Sequence, residues 1–142
     1  LARREYCRSE LREKLIRSLP EGHDEAQIDE LLDELEAKNY LSDERYARSR
    51  ARTRGAKFGN ARIKMELQRQ GLDSETIRDA LQPLENEQER AMNLWIKRFK
   101  GQKPKDFKEK SKQIRFLANR GFSFDVIQKV IQSDLQELSD FD

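Results

Sequence analysis

Arg69-Gln70-Gly71-Leu72-Asp73-Ser74-Glu75-Thr76-Ile77 closes one amphipathic segment and opens the next, and at an offset of 50 residues Asn119-Arg120-Gly121-Phe122-Ser123-Phe124-Asp125-Val126-Ile127 does the same. In each, glycine follows the last periodic residue, an apolar residue follows the glycine, and a capping side chain comes next. That order is a helix stop followed by a helix start. At the same offset Leu67 matches Leu117 and Arg62 matches Lys112. Upstream the match is weaker, with Ile28 preceding Ile77 by 49 residues and Leu15 preceding Leu67 by 52. A period of about 50 residues holding two or three short helices is a helical-repeat pattern. A unit of that size cannot bury its own apolar face, and stacking on a neighbour completes its core.

The rest of the chain reads the same way. Apolar residues recur at helical spacing as Leu11, Leu15 and Leu19; as Ile28, Leu31, Leu32 and Leu35; and as Ile63 and Leu67. They recur again as Ile77, Ala80, Leu81 and Leu84; as Ala91, Leu94, Trp95 and Phe99; as Ile114, Leu117 and Ala118; and as Val126, Ile127, Val130 and Ile131. No sustained two-residue alternation marks a strand. The expected fold class is therefore all-α, with Leu67 and Leu117 at matched core positions. Pro20, Gly22, Gly55, Gly59, Gly101 and Pro104 mark the breaks, and Asp43, Ser74 and Ser123 are the expected N-caps. Asp43 to Arg54 is a further helix candidate whose poor apolar face predicts incomplete packing.

Composition fits a thin array better than a globule. Of 142 residues, 35% are hydrophobic and 39% charged, which is polar for a single compact core. An elongated helical protein tolerates that balance. The 29 basic and 27 acidic groups are unevenly spread. Residues 1–42 hold 7 basic and 11 acidic side chains, residues 43–72 hold 9 and 3, and residues 73–142 hold 13 of each. Polarised charge governs partner choice more than the total of +2 does. A single cysteine, Cys7, excludes an internal disulfide and fits a reducing compartment. No apolar run approaches the roughly 20 residues of a membrane span, no signal-peptide pattern is seen at the start of this sequence, and a cytoplasmic address is expected. The chain begins at Leu1 within helical-looking sequence, so further N-terminal residues are expected.

Catalytic chemistry is poorly supplied. The only histidine, His23, sits in the loop-like Pro20-Glu21-Gly22-His23-Asp24. No zinc spacing, phosphate-binding glycine loop or dinucleotide fingerprint occurs. Cys7 stands at a helix start and reads as a weak cap or partly buried thiol. Asp29, Glu30, Asp33, Glu34 and Glu36 form the polar face of an amphipathic helix rather than a metal site. No metal, cofactor or enzymatic activity is expected.

Binding chemistry is well supplied. From Arg45 to Met65 there is no acid, while Arg45, Arg48, Arg50, Arg52, Arg54, Lys57, Arg62 and Lys64 fall within. Arg45, Arg48 and Arg52 share one side of a helix, and Arg50 and Arg54 lie a turn apart on another. Guanidinium groups suit bidentate contact with phosphate or carboxylate, and an anionic partner relieves their mutual repulsion. Tyr46 and Phe58 flank this run and are expected as core anchors. A second basic stretch carries Lys97, Arg98, Lys100, Lys103, Lys105, Lys108, Lys110, Lys112, Arg115 and Arg120, with Asp106 and Glu109 as its only acids. Its lysines read as solvated charge on a connector and helix. No base-reading module is present, which disfavours a sequence-specific regulator.

Four stretches, in order, resemble the RecX family. Ser9-Glu10-Leu11-Arg12-Glu13-Lys14-Leu15 is similar to its early helix, and Tyr40-Leu41-Ser42-Asp43-Glu44-Arg45-Tyr46-Ala47 to its turn into a third helix. Gly59-Asn60-Ala61-Arg62-Ile63-Lys64-Met65-Glu66-Leu67-Gln68-Arg69-Gln70-Gly71-Leu72 is similar to its most recognisable segment, and Arg115-Phe116-Leu117-Ala118-Asn119-Arg120-Gly121-Phe122 to the corresponding part of its last repeat. The chain departs from the family at Asn60, where proline is frequent; at Arg50, near a usual bulky apolar residue; and at Cys7, in place of a serine-like cap.

The resemblance implies tandem three-helix repeats in an elongated, curved array, divided here as residues 1–54, 55–101 and 102–142. It implies a non-enzymatic protein that lies in the groove of the RecA filament and inhibits its ATPase, strand-exchange and coprotease activities. The expected partner is that filament, with contact to single- or double-stranded DNA open, no membrane, and a monomeric state. The family supplies no interface residue by residue, so the basic positions rest on charge alone. The alternative reading is a sequence-independent nucleic-acid-binding helical protein.

Overall fold

The computed structural model describes residues 4–20 and 24–133. Among them are eight α-helices and no strand: α1 (Arg8–Ser18), α2 (Glu25–Ala37), α3 (Asp43–Gly55), α4 (Asn60–Arg69), α5 (Ser74–Leu81), α6 (Glu87–Phe99), α7 (Phe107–Asn119) and α8 (Phe124–Gln132). Among the described residues no helix is long and apolar enough to cross a membrane. His23 and its loop lie outside the described residues. The chain divides into two compact units, Leu1–Arg50 with Glu66–Gln82, and Ala51–Met65 with Pro83–Asp142.

The helix ends follow the local chemistry with two adjustments. Gly71 and Gly121 adopt φ of +81° and +92°, which only glycine enters without cost. The next residue then folds back, Leu72 N–H donating to the Leu67 carbonyl and Phe122 N–H to Leu117, each at 3.3 Å. This closes α4 and α7 with the same motif. Ser123 caps α8 as expected, accepting from Val126 N–H at 3.3 Å. At α5, however, the cap is Asp73 and not Ser74; its carboxylate accepts from Thr76 N–H at 2.8 Å. At α3 the Ser42 hydroxyl accepts from Arg45 N–H at 3.1 Å, while Asp43 turns its carboxylate to the Arg8 N–H at 2.8 Å. A carboxylate in the first turn thus serves a neighbouring helix whose own capping position, Cys7, makes no side-chain cap bond.

In the first unit α1 packs on α2. Leu11, Ile28, Leu32 and Leu41 are buried, with Leu15, Ile16, Leu19 and Leu35 packed around them. Each buried aliphatic side chain of this kind contributes about 1.5–3 kcal/mol. Leu31, placed in the same stripe by periodicity, is exposed instead. The acidic face of α2 is not merely solvated. Arg8 pairs with Asp33 at 2.8 Å and with Glu36, and Arg12 pairs with Asp29 at 2.9 Å and Glu25 at 3.3 Å. Arg12 holds the Asp29 carboxyl below the usual carboxylate range.

In the second unit α6 packs against α8 and α7, and α7 against α8. Ala91, Met92, Trp95, Leu117, Phe122, Ile127, Val130 and Ile131 form its core. The indole N–H of Trp95 donates to Gln113 Oε1 at 2.9 Å, and Gln113 Nε2 donates to the Gln102 carbonyl at 3.0 Å, so a buried amide is satisfied at both ends. Leu67 and Leu117, the matched pair, are each fully buried in their own units.

Candidate interaction surface

The arginine-rich segment corrects one expectation. It forms a complete 13-residue helix, α3, with Tyr46, Ala47 and Ala51 buried. Apart from Tyr46, its packed face is made of small residues, which carry little hydrophobic signal but permit close approach. The arginines then fall into two groups. Arg48 and Arg52 are exposed. Arg45, Arg50 and Arg54 are half-buried, Arg45 pairing with Glu5 at 2.7 Å and Arg50 with Glu66 at 2.8 Å. Arg50, standing near a usual apolar position, is accommodated by that carboxylate. Lys57, Arg62 and Lys64 are exposed.

Phe58, expected as a core anchor, is half-buried, and three guanidinium groups stand over its ring: Arg62 at 4.1 Å from the ring centroid, Arg120 at 5.5 Å and Arg54 at 5.6 Å. The pattern continues through α7 and α6. Arg120 also stands 5.4 Å over Phe116, and Arg98 lies 6.0 Å from Phe116 and 5.5 Å from Phe99. The Phe99 and Phe116 rings meet edge to face at 5.5 Å. The result is a ladder in which cation and ring alternate, with each guanidinium on an aromatic face. Arg62 is fixed further by donating to the Asn119 carbonyl at 2.8 Å.

A four-residue spacing carries this in the sequence: Arg54, Phe58 and Arg62 lie at successive steps of four, as do Phe116 and Arg120. The two runs are far apart along the chain, and only the fold of the second unit joins them. Among the lysines of the second stretch, Lys97, Lys100, Lys103, Lys105, Lys108, Lys110 and Lys112 are exposed, as is Arg115.

One arginine has a structural task that charge counting did not single out. Arg90 on α6 is 7% exposed. It donates to the Gly55 carbonyl at 3.1 Å, the Phe58 carbonyl at 2.9 Å, the Glu85 carbonyl at 3.1 Å and Asn60 Oδ1. It therefore satisfies the last carbonyl of α3 and one just past it, where a cation also meets the favourable end of the helix dipole. Burial lowers its pKa from the ordinary arginine value. A cleft of about 490 Å³ beside it is lined by Arg52, Gly55, Leu84 and Glu85. With its N–H groups taken by carbonyls, Arg90 is a brace for that wall rather than a ligand donor.

Comparison with known proteins gives one consistent family. The second three-helix domain of RecX matches residues 42–81, which hold α3 to α5, and the third three-helix domain matches residues 85–131, which hold α6 to α8. The chain is 44% identical over 131 residues to the regulatory protein RecX of Chromobacterium violaceum, covering 92% of this chain and 83% of that one. It is 44% identical over 133 residues to that of Leptothrix cholodnii, covering 93% and 82%. A crystal structure of RecX from Lactobacillus salivarius superposes with a TM-score of 0.73 at 28% identity, covering 98% of this chain and 89% of that one. A second RecX crystal structure gives a TM-score of 0.76 at 24% identity, over 93% of this chain and 66% of that one. The ordered helices, the tandem three-helix domains and these relatives together place the chain in the RecX family of regulatory proteins.

Proposed function

We propose that this chain regulates a RecA-type recombinase, binding its filament on DNA and inhibiting ATP hydrolysis, strand exchange and coprotease activity. Recombination, DNA repair and the SOS response are the processes such a regulator would modulate. The carrying observation is the family match across two successive three-helix domains, with relatives named as regulatory proteins over more than nine-tenths of the chain. A protein acting this way needs a charged, preorganised surface and no reaction centre. The exposed Arg48, Arg52, Lys57 and Lys64 supply cationic contacts, and the lysines from Lys97 to Lys112 supply a second basic face. The reading places the protein in the cytoplasm, as a monomer, without enzymatic activity or cofactor.

The test is RecA's single-strand-dependent ATP hydrolysis with this protein titrated in below one copy per recombinase. Its own DNA affinity is measured at the same salt. Inhibition at ratios well below one, at concentrations where the DNA is barely occupied, supports a filament regulator. Inhibition only as the DNA saturates would reduce the effect to competition for phosphate.

A further inference from the structure

We propose that the guanidinium–phenyl ladder of the second unit is a contact site for single-stranded nucleic acid. The site comprises Arg62, Arg120 and Arg98 with Phe58, Phe116 and Phe99. It stands apart from the recombinase-binding reading and holds whether or not that reading does.

Three observations converge on this ligand. First, the cations are multiple and in a row. Arg120 lies over two rings, Phe58 and Phe116, and so links Arg62 on one side to Arg98 on the other. A single carboxylate engages one guanidinium, whereas a polyanion with a repeating charge engages a row. Second, the arginines are preorganised. A ring under each guanidinium and the Arg62 bond to the Asn119 carbonyl reduce the rotamer entropy lost on binding, and a flat guanidinium keeps its N–H edge for bidentate contact with phosphate. Third, Phe99 and Phe116 pack against the core of the unit and Phe58 is half-buried, while Arg62 and Arg98 are exposed, so the planes open to a ligand are those of the guanidinium groups laid on the rings. A row of backbone-tracking cations that also presents flat guanidinium planes suits unpaired bases, because every base has a face to stack while a paired duplex hides it.

The experiment is fluorescence anisotropy of a labelled oligothymidylate titrated with the full chain at several salt concentrations. The variants are Arg62→Gln/Arg120→Gln, Arg98→Gln/Arg120→Gln and Phe58→Leu. Arg17→Gln/Arg78→Gln serves as a charge-matched control on exposed positions outside the ladder. Helicity and melting temperature are recorded for each. The Arg98→Gln/Arg120→Gln pair leaves the Arg62 bond to Asn119 intact, so it reports on binding even where loss of Arg62 weakens the fold.

Either ladder double variant is expected to weaken binding at least tenfold and to flatten the logarithmic salt slope by about 1.4, the value for two phosphates on a single strand. Phe58→Leu is expected to weaken binding at least fivefold with the salt slope unchanged, because the charges stay while the ring that lays Arg62 and Arg120 flat is lost. Equal losses in the Arg17/Arg78 control would overturn the proposal in favour of diffuse attraction. So would full affinity in Phe58→Leu, tighter binding of a duplex of equal length, or displacement of the oligonucleotide by polyglutamate of equal charge.

Discussion

The backbone of Gly59 lies against that of Gly121: Gly59 N–H donates to the Arg120 carbonyl at 2.7 Å, and a methyl group on Gly59 would stand 2.8 Å from the Phe122 nitrogen and closer still to the Gly121 carbonyl. Backbone cannot swing aside as a flexible side chain can. Gly59→Ala should therefore destabilise the chain by about 3 kcal/mol, the upper range for overpacking. Gly71→Ala provides the contrast. Nothing lies within 4 Å of its added methyl, so only the left-handed φ of +81° resists it, at about 1–2 kcal/mol. Urea unfolding of both variants checks the order. A Gly59→Ala loss no larger than that of Gly71→Ala would show that the two backbones part freely.

Leu67 and Leu117 test the repeat at the level of packing. Both are fully buried, one in each unit. Leu67→Ala and Leu117→Ala should each cost about 2–5 kcal/mol by transfer and cavity terms together. Leu31→Ala, at a position 43% exposed, should stay within about 0.5 kcal/mol. Denaturant midpoints read this directly, and a loss below about 1 kcal/mol at Leu67 would mean that its site collapses on truncation.

These positions also show what was legible in the sequence. Apolar spacing placed Leu67, Leu117, Ile77 and Ile127 in the cores because large aliphatic side chains repeating at helical intervals have one burial solution. The same rule undervalued α3, whose packed face is Tyr46, Ala47 and Ala51, and overvalued Leu31. Charge counting found the arginines but not their tasks. Arg45 and Arg50 belong to carboxylates at Glu5 and Glu66, far away in sequence, and Arg90 lies among Glu85, Glu87 and Glu89, where it reads as ordinary surface. The cations over Phe58 were hidden for the same reason, because Arg120, one of them, arrives only through tertiary folding.

Arg90 is the buried charge whose removal should matter most. Arg90→Ala would leave the Gly55, Phe58 and Glu85 carbonyls without these donors, a loss of about 3 kcal/mol on the scale of hydrogen bonds to charged groups. Arg90→Lys should recover only part of it, since an ammonium cannot span the same set of acceptors in one plane. Thermal unfolding of the pair checks this. Full recovery with lysine would reduce the role of Arg90 to charge at the end of α3.

Two titrations carry opposite signs. Tyr46 is 3% exposed, and burial pushes its phenol up to about 12. An unfolded tyrosine ionises near about 10. Between those values the unfolded chain releases a proton that the folded chain keeps, so stability is full below about pH 10 and falls as pH rises toward 12. Asp29 runs the other way. Its depressed carboxyl contributes above the ordinary value of about 3.9, and that contribution is lost as pH falls through the lowered one. Phenolate absorbance should show Tyr46 ionising well above the ordinary tyrosine value of about 10. Carboxyl chemical shifts should show Asp29 moving back toward the ordinary value in Arg12→Gln; an unmoved Asp29 would detach it from Arg12.

The arginines of α3 separate fold from partner binding. Arg48 and Arg52 are exposed, whereas Arg50 pairs with Glu66 and Arg54 stands over Phe58. An exposed pair stripped to alanine changes stability little, since surface substitutions away from packed features fall within about 0.5 kcal/mol. Arg48→Ala/Arg52→Ala should therefore keep its midpoint and helicity while weakening inhibition of recombinase ATP hydrolysis at least tenfold, if these cations face the partner. Arg50→Ala removes one side of a half-buried ion pair, so it should lower the midpoint with a smaller effect on inhibition. The two variants thus move different observables. Should Arg48→Ala/Arg52→Ala inhibit as fully as the unaltered chain, that side of α3 is solvated charge, and the partner contact must be sought on the basic surface of the second unit.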